Sequence, residues 1–167
     1  MPPADSTQIE IWKSQFLARY AQHSFNQSSL YDGVAELLQF LEGSGIPWGI
    51  VTNKSEALSV PILHSAKLMD RLSCLVCGDT LTRNKPDPAP VRLACERVKT
   101  PAGMTLFAGD DLRDLQAGRA AGTMIAAVHY GYGILEQDDE LVSSSAQIHH
   151  PADLINLVGE CGTLCRA

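Results

Sequence analysis

The sequence predicts an α/β protein: a parallel sheet covered by helices on both faces. Three observations predict it. Stretches with helical spacing alternate with short apolar runs along the chain. The short runs are continuously apolar, as strands buried on both faces must be. Strand, helix, strand order then brings successive strands parallel through right-handed crossovers. The 167 residues, 45% of them hydrophobic, suffice for one core with a small appendage.

Each element has its own signal. "STQIEIWKSQFLARYAQ" places Ile9, Trp12, Phe16 and Tyr20 near one helical face, with Asp5 or Ser6 as N-cap. "DGVAELLQFLEGSG" is a second helix, ended by Gly43 and Gly45. "PWGIVTN" is a β-rich run ending at Asn53, and a helix capped by Ser55 follows over residues 55–66. "LSCLVCG" is the next strand, and "DPAPVRLACERV" a helix whose prolines sit in the first turn, where no amide donor is missed. "MTLFAGD" is a strand, "LRDLQAGRAAG" a helix closed by Gly122, and "MIAAVHYG" a strand. A polar loop with Glu136, Asp138, Asp139 and Glu140, a short strand over 146–148 and a helix from Pro151 complete the order.

Composition excludes several classes. The net charge is −6 and no segment gathers Lys or Arg, so nucleic acid and anionic membrane surfaces are disfavoured partners. No apolar run is long enough to span a bilayer, and the first residues lack the apolar core of a signal peptide. The five cysteines read as reduced thiols of a cytoplasmic protein. Cys74 and Cys77 form a C-x-x-C inside an apolar run with no second pair at zinc spacing, which favours two thiols on a buried strand.

In parallel α/β sheets ligands bind at the carboxyl ends of the strands. Those ends carry Thr52, Asn53 and Lys54 after "GIV", Lys85 in "RNKPDP", and Asp110, Asp111 and Asp114 after "FAG". A hydroxyl beside a helix N-terminus suits a phosphate oxygen, and a lysine supplies a point charge against phosphate. Aspartates supply hard oxygen ligands for Mg²⁺. Together these groups describe phosphoryl transfer, where catalysis is positioning and charge neutralisation. Each has a plainer role when taken singly: Asp111 as an N-cap, Asp114 as an answer to the helix dipole, Thr52 as a core hydroxyl and Lys85 as a loop lysine.

"GIVTNK", "NKPDPAP" and "FAGDDLRD" resemble, in order, the second, third and fourth motifs of the haloacid dehalogenase superfamily. Residues 30–133, with "AGRAAGT" and "VHYGYG", are similar to its phosphoglycolate phosphatase group and the related N-acetylmuramic acid 6-phosphate phosphatases. The resemblance implies a Rossmann-like three-layer core, Mg²⁺ as cofactor and hydrolysis of a small phosphorylated metabolite. It makes Thr52 a phosphate ligand with Asn53 beside it, and Lys85 the residue steadying nucleophile and phosphate charge. Asp110 becomes the direct metal ligand, Asp114 a water-mediated or outer ligand, and Asp111 a supporting residue where many relatives carry Ser. Residues 1–28 would be the remnant of a helical cap and 29–167 the core.

The family's first motif, Asp-x-Asp-Gly-Thr at the end of the first, central strand, is not found in these 167 residues. The aspartates before Thr52 are Asp5, in a polar leader, and Asp32, in "LYDGVAELL", which resembles the family's Pro-Gly-Val entry to the helix before motif two. The resemblance therefore implies a chain that starts inside the cap, a core without its first central strand, and no nucleophile to form an aspartyl-phosphate. The family's strand order would leave two edges about 9–10 Å apart, open to a foreign strand unless the sheet closes directly.

Two rival functions stand beside the phosphatase. A non-catalytic remnant or binding module of the same fold would hold phosphate or metal without turnover. A receiver-like signalling domain uses the same residue types, but its acidic pair precedes its lysine, whereas here the order is Thr, Lys, Asp-Asp. His149 and His150, adjacent in sequence, point to opposite faces and read as a surface turn rather than a metal site. The acidic run 138–140 reads as a solvated loop, and Trp12, Phe16 and Tyr20 as packing residues.

Overall fold

The structure is a computed structural model that describes residues 5–23, 29–136 and 139–164. Seven α-helices and five strands lie among them: α1 (Ser6–His23), α2 (Val34–Gly43), β1 (Gly49–Val51), α3 (Glu56–Ser65), β2 (Cys74–Val76), α4 (Ala89–Val98), β3 (Leu106–Gly109), α5 (Leu112–Ala121), β4 (Met124–Val128), α6 (Glu140–Ser143), β5 (Ala146–Ile148) and α7 (Pro151–Leu164). All strand pairs are parallel. None of these helices is long and apolar enough to cross a membrane.

The core has three layers. Along β4, Ala126 and Val128 point to one face and pack with Leu37 of α2 and Leu154 of α7. Ile125 and Ala127 point to the other and pack with Leu115 of α5 and Val142 of α6. The period of two places both faces under helices, hence the unbroken apolar run MIAAV. Val51 and Phe107 pack with Val91 of α4 and with Ala117 and Ala121 of α5. Ile50 packs on the opposite face, with Leu38 of α2 and Leu63 of α3.

Among the described residues the strands form two sheets rather than one: β1 pairs with β2, and β4 lies between β3 and β5. β1 and β3 do not pair, yet both line one cavity of about 610 Å³.

Most helix ends follow the sequence. The Asp5 carboxylate accepts from the Gln8 amide at 2.7 Å and caps α1. Gly45 and Gly122 turn the chain after α2 and α5 with φ of 69° and 88°. Three expectations need correction. Ser55 occupies the N-cap position of α3 without a side-chain bond; Asp79 accepts from the Glu56 amide instead, at 2.9 Å, from the loop after β2. The acidic loop is partly helical, because Asp139 accepts from Leu141 N and Val142 N and starts α6; Asp138 lies outside the described residues. Trp12 and Phe16 do not pack inward, being 54% and 67% exposed. The reason is position: α1 has its main contact with α3, outside the layers that bury the sheet. The Tyr20 side chain lies outside the described residues.

Candidate functional site

The carboxyl ends of β1 and β3 converge on Lys85. Its Nζ donates to the Val51 carbonyl at 2.6 Å and pairs with Asp114 Oδ1 at 2.8 Å. The two side chains are 10% and 12% exposed, and the ammonium also lies 5.8 Å from the centre of the Phe107 ring. A buried lysine demands partners of this kind, because desolvating its charge is costly without them. The loop that carries it is fixed by Asn53: Asn53 Nδ2 donates to Lys85 O at 3.0 Å, and Lys85 N donates to Asn53 Oδ1 at 3.1 Å. The Lys85–Pro86 peptide is cis.

Thr52 follows β1 directly. Its Oγ1 accepts from the Lys54 amide at 3.1 Å, a local turn that leaves the hydroxyl hydrogen to be donated elsewhere. Gly78 lies against the Asn53 carbonyl, where a Cβ would collide with the backbone.

The three aspartates separate into three roles. Asp110 Oδ2 accepts from the Gly133 amide at 2.9 Å. Gly131 and Gly133 pack so closely on Asp110 that a Cβ at either would overlap it. Asp111 caps α5: Oδ1 accepts from Arg113 N at 2.9 Å, and Arg113 Nη2 reaches Oδ2 at 2.6 Å. The Arg113 hydrogen bond, opposed by partial burial, holds the Asp111 carboxyl down to about 2. Asp114 is buried against Gly109, where a Cβ would meet its carboxylate, and faces Lys85. Lys85, Asp114 and Asn53 therefore form one bonded group, with Thr52 between Asn53 and the Val51 carbonyl in the chain, while Asp111 is turned to Arg113.

The donor chemistry fits Mg²⁺ in a limited sense. Mg²⁺ is held by one or two carboxylates, water and phosphate oxygens. Asp110 has a second carboxylate oxygen beside the one bonded to Gly133, whereas Asp114 Oδ1 is paired with Lys85. Among the described residues no group of three or more His, Cys, Asp or Glu side chains is placed to hold a metal. The adjacent histidines are not such a site: His149 stacks on His129 at 4.6 Å, and His150 lies against Gly33. Cys74, Cys77 and Cys95 are buried free thiols, and burial pushes the Cys74 and Cys77 thiols upward.

Sequence reasoning marked the loop after β4 only as part of the "VHYGYG" resemblance and gave it no role in the site. Gly131 and Gly133 clamp Asp110, and Tyr130 and Tyr132 flank Tyr31, with ring centroids 5.4 and 5.9 Å away. Burial, then the Asp110 charge, raises the Tyr130 phenol above its usual value. The available signal was the Gly-Tyr-Gly spacing at a strand end, where only a missing Cβ allows so close an approach.

The family model for haloacid dehalogenase-like hydrolases matches residues 4–128. The chain is 42% identical over 154 residues to the N-acetylmuramic acid 6-phosphate phosphatase of Pseudomonas aeruginosa, a match covering 92% of this chain and 68% of that protein. It is 39% identical over 154 residues to a phosphoglycolate phosphatase of Xanthomonas campestris pv. campestris, covering 89% of this chain and 70% of the relative. The crystal structure of a predicted phosphoglycolate phosphatase from Haemophilus somnus 129PT superposes with a TM-score of 0.85 at 28% identity, over 93% of this chain and 68% of that one.

Proposed function

This chain belongs to the haloacid dehalogenase-like hydrolase family, and from that premise we propose that it is the phosphate- and Mg²⁺-binding core of a phosphomonoester hydrolase of the phosphoglycolate phosphatase type. On this reading residues 29–167 are the core and residues 1–28 the end of a helical cap. The observation that carries it is Lys85, a buried ammonium fixed between the Val51 carbonyl and Asp114 at the strand ends, next to Thr52 and Asp110.

Each residue has a defined task. The Thr52 hydroxyl donates to a phosphate oxygen at the end of β1. Lys85 presents a positive charge whose position Asn53 and Asp114 fix in advance, so no reorganisation is needed when phosphate arrives. Asp110 is the direct Mg²⁺ ligand, oriented by the Gly133 amide, and Asp114 supports it from behind. Mg²⁺, when bound, neutralises charge on the phosphate oxygens. Asp111 holds α5 in place and has only a supporting role.

Hydrolysis through a covalent intermediate also needs a carboxylate nucleophile at a strand end. Asp5 caps α1 and Asp32 lies in the turn before α2, so neither serves. The 167 residues by themselves therefore bind phosphate with Mg²⁺ and do not turn substrate over. A small phosphorylated metabolite is the ligand class, with phosphoglycolate and N-acetylmuramic acid 6-phosphate as the two candidates.

The test is calorimetric titration of orthophosphate with and without Mg²⁺, beside a phosphate-release assay on both candidates. Expected are Mg²⁺-dependent phosphate binding, weakened by Thr52→Val and Asp110→Asn, and no release. Release abolished by Asp110→Asn would overturn the inactivity. Phosphate binding indifferent to Mg²⁺ and to both substitutions would overturn the site.

A further inference from the structure

Asp110 is oriented by a loop that has little backbone to hold it. Gly133 N donates to Asp110 Oδ2, and Gly131 and Gly133 pack directly on Asp110. Among the described residues, however, none from Tyr130 to Leu135 makes a backbone–backbone hydrogen bond. The last such bond before the loop is from the His129 amide to Ile148 O. A segment without these bonds opens locally at low cost. What fixes it must come from side chains.

Two of those side chains are aromatic. Tyr130 packs against the core cluster of Leu37, Val128 and Leu154. Tyr132, between the two glycines, is 94% exposed and has no such seat. Both rings rest on Tyr31. The Tyr130 ring meets it edge-on at 5.4 Å between centroids, and the Tyr132 ring is tilted against it at 5.9 Å. At these separations aromatic pairs attract beyond the area they bury. Tyr31 is itself held at the main chain. Its carbonyl accepts from the Val34 amide at 3.1 Å, closing the turn into α2, and Gly33 in that turn has a φ of 83°. The His150 ring, just before α7, lies so close to Gly33 that a Cβ there would meet it.

The geometry points to Tyr31 as a positioning residue for Asp110: through Tyr132 it fixes the loop at Gly131 and Gly133, and the Gly133 amide fixes the carboxylate. Tyr31 lies before α2, on a segment remote in sequence from both Asp110 and the loop. The ring carries the contact, so Phe serves in its place and Ala does not. The consequence for Mg²⁺ rests on the reading of Asp110 as its ligand. The consequence for the Gly133 amide does not.

The test begins with amide hydrogen exchange of the 167-residue chain without Mg²⁺. Tyr31→Ala should speed exchange at Gly133 by about tenfold or more and leave Ile125 and Ala127 of β4 unchanged. Tyr31→Phe should exchange as the unsubstituted chain does. Tyr132→Ala, a change at an exposed side chain that leaves the core intact, should reproduce Tyr31→Ala. Calorimetric titration should then show Mg²⁺ affinity about three- to tenfold weaker in Tyr31→Ala, the scale of an aromatic contact, and restored in Tyr31→Phe. Unaltered exchange at Gly133 in both alanine variants would overturn the proposal. So would equal acceleration in β4, which would make Tyr31 a general packing residue, or a Tyr31→Phe variant that behaves like Tyr31→Ala. Mg²⁺ binding that is lost in Asp110→Asn but indifferent to Tyr31→Ala would overturn it as well. If the unsubstituted chain binds no Mg²⁺, the ligand reading of Asp110 fails instead, and exchange at Gly133 still decides the role of Tyr31.

Discussion

Lys85 and Asp114, 29 residues apart in sequence, form a 2.8 Å ion pair about nine-tenths buried at the convergence of β1, β3 and α5. Removing one partner leaves the other charge buried and uncompensated, at a cost of roughly 3–5 kcal/mol. Lys85→Met and Asp114→Asn should each lower the unfolding free energy measured in urea by that order. The double variant should lose clearly less than the two losses added. Strict additivity in the double-mutant cycle would mean that the pair has no coupling.

Asp111 ties stability to acid. Its carboxyl titrates at about 2, against 3.8 in the unfolded chain, mainly because Arg113 donates to it. The folded value is the lower one, so the stabilisation is complete above about pH 4 and is lost as pH falls toward about 2. Asp111 is a third exposed, so screening reduces the effect to about 1 kcal/mol. Urea unfolding near pH 5 and near pH 2.5 should show a smaller loss for Asp111→Asn than for the unsubstituted chain. Equal losses would assign the acid sensitivity elsewhere.

Gly131 sits where a Cβ would overlap the Asp110 carboxylate. Gly131→Ala must therefore push either the loop or Asp110 aside. Calorimetric titration should show Mg²⁺ affinity reduced by about 10-fold or more, the scale on which supporting contacts tune metal ligands. An unchanged affinity would remove this loop from the site.

Trp12 and Phe16 lie on the open face of α1. Trp12→Glu should change stability by less than about 0.5 kcal/mol, as surface substitutions do. It should also reduce any self-association that grows with concentration. A loss of several kcal/mol in thermal unfolding would show that α1 packs more tightly than its exposure implies.

The ladder of elements was legible because each carries a local signal: Gly122 ends α5, Pro88 enters α4, and the MIAAV run becomes the doubly covered β4. The strand ends also pointed to Thr52, Lys85 and Asp110, and the structure brings Lys85 to the carboxyl end of β1 through the Val51 carbonyl. What could not be read is set by tertiary neighbours. Whether Ser55 or Asp79 caps α3 depends on a loop 24 residues downstream. The inward expectation for Trp12 came from helical spacing, which registers a stripe but not whether another layer exists to cover it. Gly131 reaches Asp110 across two different strands, a proximity with no local trace in sequence.

Asn53 grips the Lys85 loop by its main chain, giving one bond to Lys85 O and taking one from Lys85 N. It does not touch the ammonium. The position of residue 85 and the chemistry it displays are thus encoded separately. A different side chain there would change what the sheet edge offers to a ligand and leave both amide bonds in place. Such separation makes the loop a socket: its path is held at the main chain, while the charge it displays is matched by Asp114 alone and must be changed together with it.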